Sequence, residues 1–309
     1  MCGIAGIMFK NESSNLNTGR ALVDMLDGCQ HRGPDSTGFA LYGPATEGQL
    51  RLRFFVGEVA EDAARSIARI ADALAAHDAK IVSDETVGSN YRVKVEFSGD
   101  LQRFAYAIEH AAKVMSIGSS LEIVKDIGTA HEVDERYDVQ TFEGSHGIGH
   151  VRLATESDVK PEASHPFWAT GFADVAIVHN GQITDYYTWR DRLERNDYRF
   201  MTYNDSELIA VWISDQMSRG LTQAQALEKS ISEIDGVFTF LISNTESMGF
   251  AKDRWAIKPL VVIEEAGALA VATEEQAVRM IYTGENAVIN YDGPSMTKTW
   301  PIGALRAAA

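Results

Sequence analysis

The sequence predicts an α+β protein, with strands and helices gathered into layers instead of alternating along the chain. Outside residues 50–128, consecutive apolar strand-like runs flank pairs of helical runs. Inside 50–128 the order becomes strand, helix, two strands, helix, strand, which is the ferredoxin-like split unit. No internal repeat, low-complexity tract or linker is visible. The expected organisation is one domain over 1–309, interrupted at 50–128 by an inserted α+β module.

The elements follow in order. Met1-Cys2-Gly3-Ile4-Ala5-Gly6-Ile7 is uncharged and apolar, and reads as a strand. Residues 16–27 form a helix whose apolar face is Leu22, Val23, Met25 and Leu26, with Gly28 at its stop. His31-Arg32-Gly33-Pro34-Asp35-Ser36-Thr37-Gly38 is a loop, because proline fixes φ and aspartate bonds its own backbone; residues 39–42 resume a strand. In the module, 51–56 is a strand, and Ala63, Ile67, Ile70, Ala71 and Leu74 recur at helical spacing. Strands 80–87 and 91–97 flank a Gly88-Ser89-Asn90 turn. Phe104, Ala107, Ile108, Ala111, Val114 and Met115 mark a second helix, and 120–127 a last strand. Beyond it, strands are expected at 147–154, 172–178, 236–242, 260–263 and 268–272. The helix opened by Asn204-Asp205-Ser206-Glu207 has a capping residue with an acid three positions on, and 222–234 is a second amphipathic helix.

Composition narrows the classes of function. Of the 309 residues 28 are basic and 44 acidic, a formal charge of −16 that argues against a nucleic-acid partner. No signal peptide and no stretch long enough to span a membrane is present, so a cytoplasmic protein is expected. Two cysteines are too few for a disulfide framework or a cysteine-ligated metal. His31, His146, His150, His165 and His179 are scattered instead of set at metal-ligand spacing, so no metal is expected.

The chemistry gathers at the start of the chain. A small residue at position 2 permits removal of Met1, which would place a thiol and a free α-amine on Cys2. Free thiols and free α-amines have reference pKa values near one another, about 8.5 and 7.7–8.0, so such an amine can serve as base for such a thiol. Taken alone, Cys2 reads more readily as a small buried cysteine at the start of a core strand. Hydrolysis of a glutamine side-chain amide needs a nucleophile, donors for the oxyanion, a cation for the α-carboxylate and an anion for the α-ammonium. Arg152 suits the carboxylate through its forked guanidinium, and Asp205 the ammonium. Asn180 offers an NH₂ and Gly181 an open N–H. Singly, each has an ordinary alternative: Arg152 a surface ion pair, Asp205 a helix cap, Asn180-Gly181 a turn.

Taken together, Met-Cys-Gly-Ile-Ala-Gly at the start, His31 to Gly38, His150-Val151-Arg152-Leu153-Ala154-Thr155, His179-Asn180-Gly181-Gln182-Ile183 and Asp205-Ser206-Glu207 resemble the class II glutamine amidotransferases. Ala251-Lys252-Asp253-Arg254 and Ile257-Lys258-Pro259-Leu260 are similar to a later family loop. The resemblance covers about 1–45 and 145–275, and implies a four-layer αββα N-terminal-nucleophile hydrolase fold. It implies Cys2 as nucleophile with its own α-amine as base, and Asn180 and Gly181 as the oxyanion hole. It further implies Arg152 and Asp205 as the amino-acid clamp, Thr155 as a substrate contact, Arg32 as support near the site, and His165 beside the glutamine pocket or packing its loop. Val151 and Leu153 replace the usual threonine and aromatic residue, and Glu156 stands where His or Asn is common.

By the same resemblance the chain looks like the separate amidotransferase subunit of glutamate-synthase-type complexes, including N-methylglutamate synthase. No synthase domain is expected in the tail after Ala272, and no cofactor on this chain. Flavin and iron–sulfur clusters would lie on partner subunits of a hetero-oligomer. Two readings from other classes are an N-terminal-nucleophile hydrolase of another amide and a non-catalytic glutamine-sensing regulatory subunit.

Overall fold

The computed structural model describes residues 2–10, 17–153 and 160–302. Among these the chain runs β1 (Gly3–Phe9), α1 (Thr18–Gly28), β2 (Ser36–Tyr42), β3 (Gln49–Phe55), α2 (Ala60–Ala76), β4 (Lys80–Val87), β5 (Asn90–Glu96), α3 (Leu101–Ile108), β6 (Lys113–Gly118), β7 (Leu121–Ile127), α4 (Ala130–Tyr137) and β8 (His146–Arg152). It continues through β9 (Phe167–Trp168), β10 (Ala176–Ile183), α5 (Tyr186–Glu194), α6 (Asp205–Ser218), α7 (Gln223–Glu233), β11 (Gly236–Ser243), β12 (Ser247–Lys252), β13 (Val261–Glu264), β14 (Ala268–Ala272), α8 (Glu275–Arg279), β15 (Ile289–Asn290) and β16 (Thr297–Pro301).

Two antiparallel sheets form the centre, ordered β15-β13-β14-β1-β8-β2-β7 and β16-β12-β11-β10-β9. Strand alternation explains why β1 is apolar on both faces. Ala5, Ile7 and Phe9 pack under α1, while Ile4 and Met8 face the second sheet. The second sheet does the same: Phe238, Phe240 and Ile242 meet the α6 and α7 layer, and Leu241 enters the space between the sheets. The result is the αββα layering of the N-terminal-nucleophile hydrolases.

A third sheet, β4-β5-β3-β6, carries α2 and α3. Its order is that of a split β-α-β-β-α-β unit, but the sequence reading misplaced its last two elements. The second helix stops at Ile108, and Val114 and Met115 lie in β6, the unit's fourth strand. The apolar spacing continued across that boundary because a half-buried strand and a helix both supply apolar pairs there. Residues 121–127 then leave the unit and pair with β2 in the seven-stranded sheet. The β6–β7 turn is fixed by Asp174, whose carboxylate accepts from the Ser119, Ser120 and Leu121 N–H groups and the Ser119 hydroxyl at 2.8–3.0 Å. The unit's core side chains, among them Phe54, Val93, Phe104 and Ile117, join those between the two large sheets in one cluster.

Two further expectations change. His179-Asn180-Gly181, expected just beyond a strand at 172–178, lies within β10, which begins only at Ala176; the strand expected at 147–154 is β8, with Arg152 its last residue. Glu207 does not reach back to the Asn204 N–H, which bonds the Thr202 hydroxyl instead. It turns to the Met201 and Thr202 N–H groups at 2.7 and 2.8 Å. No helix among the described residues is long and apolar enough to cross a membrane.

Candidate active site

Register brings Cys2 and Arg152 to one end of the first sheet. Gly3 lies opposite Val151, so the next position outward sets Cys2 beside Arg152, which pairs on its other side with Ser36. The 31–38 segment buttresses this end. A Cβ on Gly33 would lie 2.6 Å from the Arg152 backbone, and the Asp35 N–H donates to the Arg152 carbonyl at 3.1 Å. Gly3 is equally constrained, since a Cβ there would stand 2.7 Å from the Cys29 Cβ. Cys29 is therefore a packing residue: burial, and next Glu274, push its thiol up to about 12 against Arg32. Cys2 is the half-buried thiol, with Sγ 3.9 Å from the Leu153 carbonyl oxygen.

The second sheet contributes Asn180. Its Nδ2 donates to the Cys2 carbonyl at 3.1 Å, tying the two sheets together and leaving one amide hydrogen for another acceptor. Its neighbour Gly181 pairs with Phe238. Both Phe238 backbone groups bond Asp253 on the far side, N–H to Oδ2 at 2.6 Å and C=O from the Asp253 N–H at 3.0 Å. Gly181–Phe238 is thus a non-hydrogen-bonded pair, which turns the Gly181 N–H away from β11. No side chain fits there, because φ is +150° and a Cβ would lie 2.0 Å from the Val237 carbonyl.

Asp205 opens α6, where Asn204 caps the Ser206 N–H at 2.9 Å. Its Oδ2 accepts from the Ile183 N–H at 3.1 Å, and Oδ1 lies 3.5 Å from His179 Nδ1. Burial works against its charge, but His179, the Ile183 N–H and Ser206 together hold the carboxyl below its ordinary value, and the helix N-terminus favours an anion there. For Arg152 burial is the larger influence and lowers its pKa, with Cys2 and Asp35 acting the other way.

Behind Asp205, the Ser206 hydroxyl sits 2.6 Å from His165 Nε2 and 3.0 Å from His179 Nδ1. His165 stacks on His150 at 4.1 Å, and His150 Nε2 donates to the His179 carbonyl at 3.2 Å. Burial, first among the causes, lowers His150 to about 3 and His165 well below its usual value, so both rings are neutral.

A family model described as a glutamine amidotransferase domain matches residues 150–280. A glutamine amidotransferase-like protein, GlxB, of Rhizobium meliloti is 34% identical over 97% of this chain and 98% of its own length. A putative glutamine amidotransferase of Methanothermobacter thermautotrophicus is 33% identical over 91% of this chain and 94% of its own. The chain belongs to the class II glutamine amidotransferase family. Among solved structures, the glutamine phosphoribosylpyrophosphate amidotransferase of B. subtilis complexed with ADP and GMP shares the fold. It has a TM-score of 0.59 at 18% identity, covering 98% of this chain and 50% of that one.

In this amidotransferase, then, Cys2, Asn180 and Gly181 meet at the ends of the two sheets, and Arg152 adjoins Cys2. Asp205 joins them through Ile183 and His179. His165 stands one layer behind, against Ser206. Arg32, next to the Gly33 that packs on Arg152, bonds Glu274 through its Nε at 2.9 Å beside Cys29, which in turn packs on Gly3. Thr155 lies outside the described residues. The sequence reading missed that His150, His165, His179 and Ser206 converge. Each stands in a segment already singled out, but their separation along the chain concealed the cluster. Among the described residues, no group of three or more His, Cys, Asp or Glu is arranged to hold a metal.

Proposed function

We propose that this chain hydrolyses L-glutamine to glutamate and ammonia through a thioester on Cys2. With Met1 removed, the Cys2 amine takes the thiol proton and the thiolate attacks the side-chain carbonyl carbon. The oxyanion is met by the remaining Asn180 amide hydrogen and by the Gly181 N–H. On its collapse the C–N bond breaks, and the proton held by the amine goes to the departing nitrogen as ammonia. Water then cleaves the γ-glutamyl thioester, giving glutamate and restoring the thiol. Arg152 holds the α-carboxylate and Asp205 the α-ammonium. The observation that carries this reading is the 3.1 Å bond from Asn180 to the Cys2 carbonyl, which sets the proposed oxyanion donor beside the proposed nucleophile.

The ammonia would be used by a partner synthase of glutamate-synthase or N-methylglutamate-synthase type, with flavin and iron–sulfur chemistry on that partner. Exposed Tyr187, Tyr203, Trp255 and Ile257 support a docking face. They stand on segments adjoining Ile183, Asp205 and Asp253. A Cys2→Ala variant separates catalysis from glutamine sensing. Equal amounts of ammonia and glutamate released by the native chain, with or without its partner, and none by the variant support the proposal. Unchanged release by the variant overturns it.

A further inference from the structure

A cavity of about 180 Å³ opens between the four-stranded unit and the first turn of α6. Val114 and Met115 of β6 form one wall, and Phe167 and Trp168 of β9 another. Met201 and Thr202, just before α6, also line it.

Two buried polar groups on its lining have bonding capacity left. Glu109, directly after α3, has Oε1 buried without a hydrogen-bond partner. Burial, and then the nearby Glu207, push its carboxyl up to about 7, with Arg199 opposing. Lys125 of β7 is buried and donates to the Ser164 and Pro166 carbonyls at 2.7 and 3.1 Å. Burial lowers its amine to about 7, with Glu207 and Glu162 opposing; protonated, it has three donors, so one remains, and the group lies 4.7 Å over the Phe167 ring. Glu207 is already supplied, by the Met201 and Thr202 N–H groups and the Thr170 and Thr202 hydroxyls. Lys113 is paired with Glu162 at 2.5 Å.

The uncommitted groups are opposite in kind. A simple amine would meet Glu109 but leave the Lys125 donor unused. A simple carboxylate would meet Lys125 with no group to offset Glu109 and Glu207. We infer that the cavity is a second ligand site for a small zwitterion, a free α-amino acid, with its ammonium on Glu109, its carboxylate on Lys125 and its side chain against Met115, Phe167 and Trp168. The site shares Glu207 with the helix turn that bears Asp205 and Ser206, and Phe167 with the segment that bears His165. Binding here does not depend on the catalytic reading.

The test uses the full chain after Cys2 has been alkylated with a glutamine analogue, so that the first site is closed. Glycine, L-alanine, L-leucine, L-methionine and L-glutamate are titrated by calorimetry and Trp168 fluorescence, with methylamine and acetate as half-ligands. At least one amino acid is expected to bind saturably, about tenfold or more tighter than either half-ligand. Loss of one charge-assisted bond in Glu109→Gln weakens binding about tenfold or more, and Met115→Trp, which fills the cavity, abolishes it. Alkylation of Cys2 is unchanged in Glu109→Gln. Absence of binding by every probe, equal binding by Glu109→Gln, or binding seen only before alkylation overturns the inference. Failure of Cys2 to alkylate overturns the catalytic reading alone, and the same titrations on the unmodified chain still decide this one.

Discussion

Asn180 joins two tasks in one side chain. It ties the Cys2 carbonyl and, in the proposed mechanism, keeps a hydrogen for the oxyanion. Asn180→Ala should lower kcat for ammonia release roughly 10²–10³-fold, the usual cost of one oxyanion donor, with KM nearly unchanged. Arg152→Lys replaces a fork by a point charge, so KM for glutamine should rise about 10–100-fold, as steady-state kinetics would show. His150 gives a pH prediction. Its pKa is about 3 in the folded chain against about 6.5 unfolded, so the unfolded chain binds more protons between those values. Stability therefore rises with pH and is lost as pH falls from about 6.5 towards 3. Between pH 7 and 5 the loss from His150 is on the order of 2 kcal/mol, and denaturant unfolding of His150→Gln should show a correspondingly flatter dependence. Cys2, Arg152, Asn180, Gly181 and Asp205 could be named as candidates because each occurs in a short, ordered motif. The histidine cluster was not legible, because its members come from three separate segments and only the packing of one sheet on the other, with the segment before β9, unites them.

At the scale of elements, the buried strands and capped helices read well. Thr222 with Gln225 forms the capping box that begins α7, and the polar 31–38 run is fixed by Gly33 and Asp35 around Arg152. The errors fell where periodicity is ambiguous. Val114 and Met115 extend the α3 pattern, yet they belong to β6. His179-Asn180-Gly181 looks like a turn, yet Gly181 is held in β10 by a φ that only glycine adopts readily. The β6–β7 corner depends on Asp174, a long-range partner invisible in local sequence. Asp174→Ala strands three backbone N–H groups at that corner, two of them on buried residues. It should cost roughly 2–4 kcal/mol, read as a lower denaturation midpoint at unchanged slope.

At the scale of the whole molecule, the inserted unit and the sandwich share one apolar core, with Phe54 and Ile117 in the same cluster as Ile4 and Leu241. Tryptophan fluorescence and far-ultraviolet circular dichroism should therefore report coincident unfolding transitions. A separate early transition of the unit would contradict a continuous core. The sequence announced a unit of this topology but not its fusion with the sandwich, since the direct passage from β6 into β7 depends on pairing with β2. The central claim remains chemical: Cys2 is the nucleophile of a glutamine pocket. It is tested most directly by the intact mass of the purified chain before and after exposure to a thiol-alkylating glutamine analogue. The account predicts a chain lacking Met1 that gains one adduct, mapped to Cys2 and prevented by excess glutamine. A retained Met1, or an unmodified Cys2 even with partner subunits present, would contradict it.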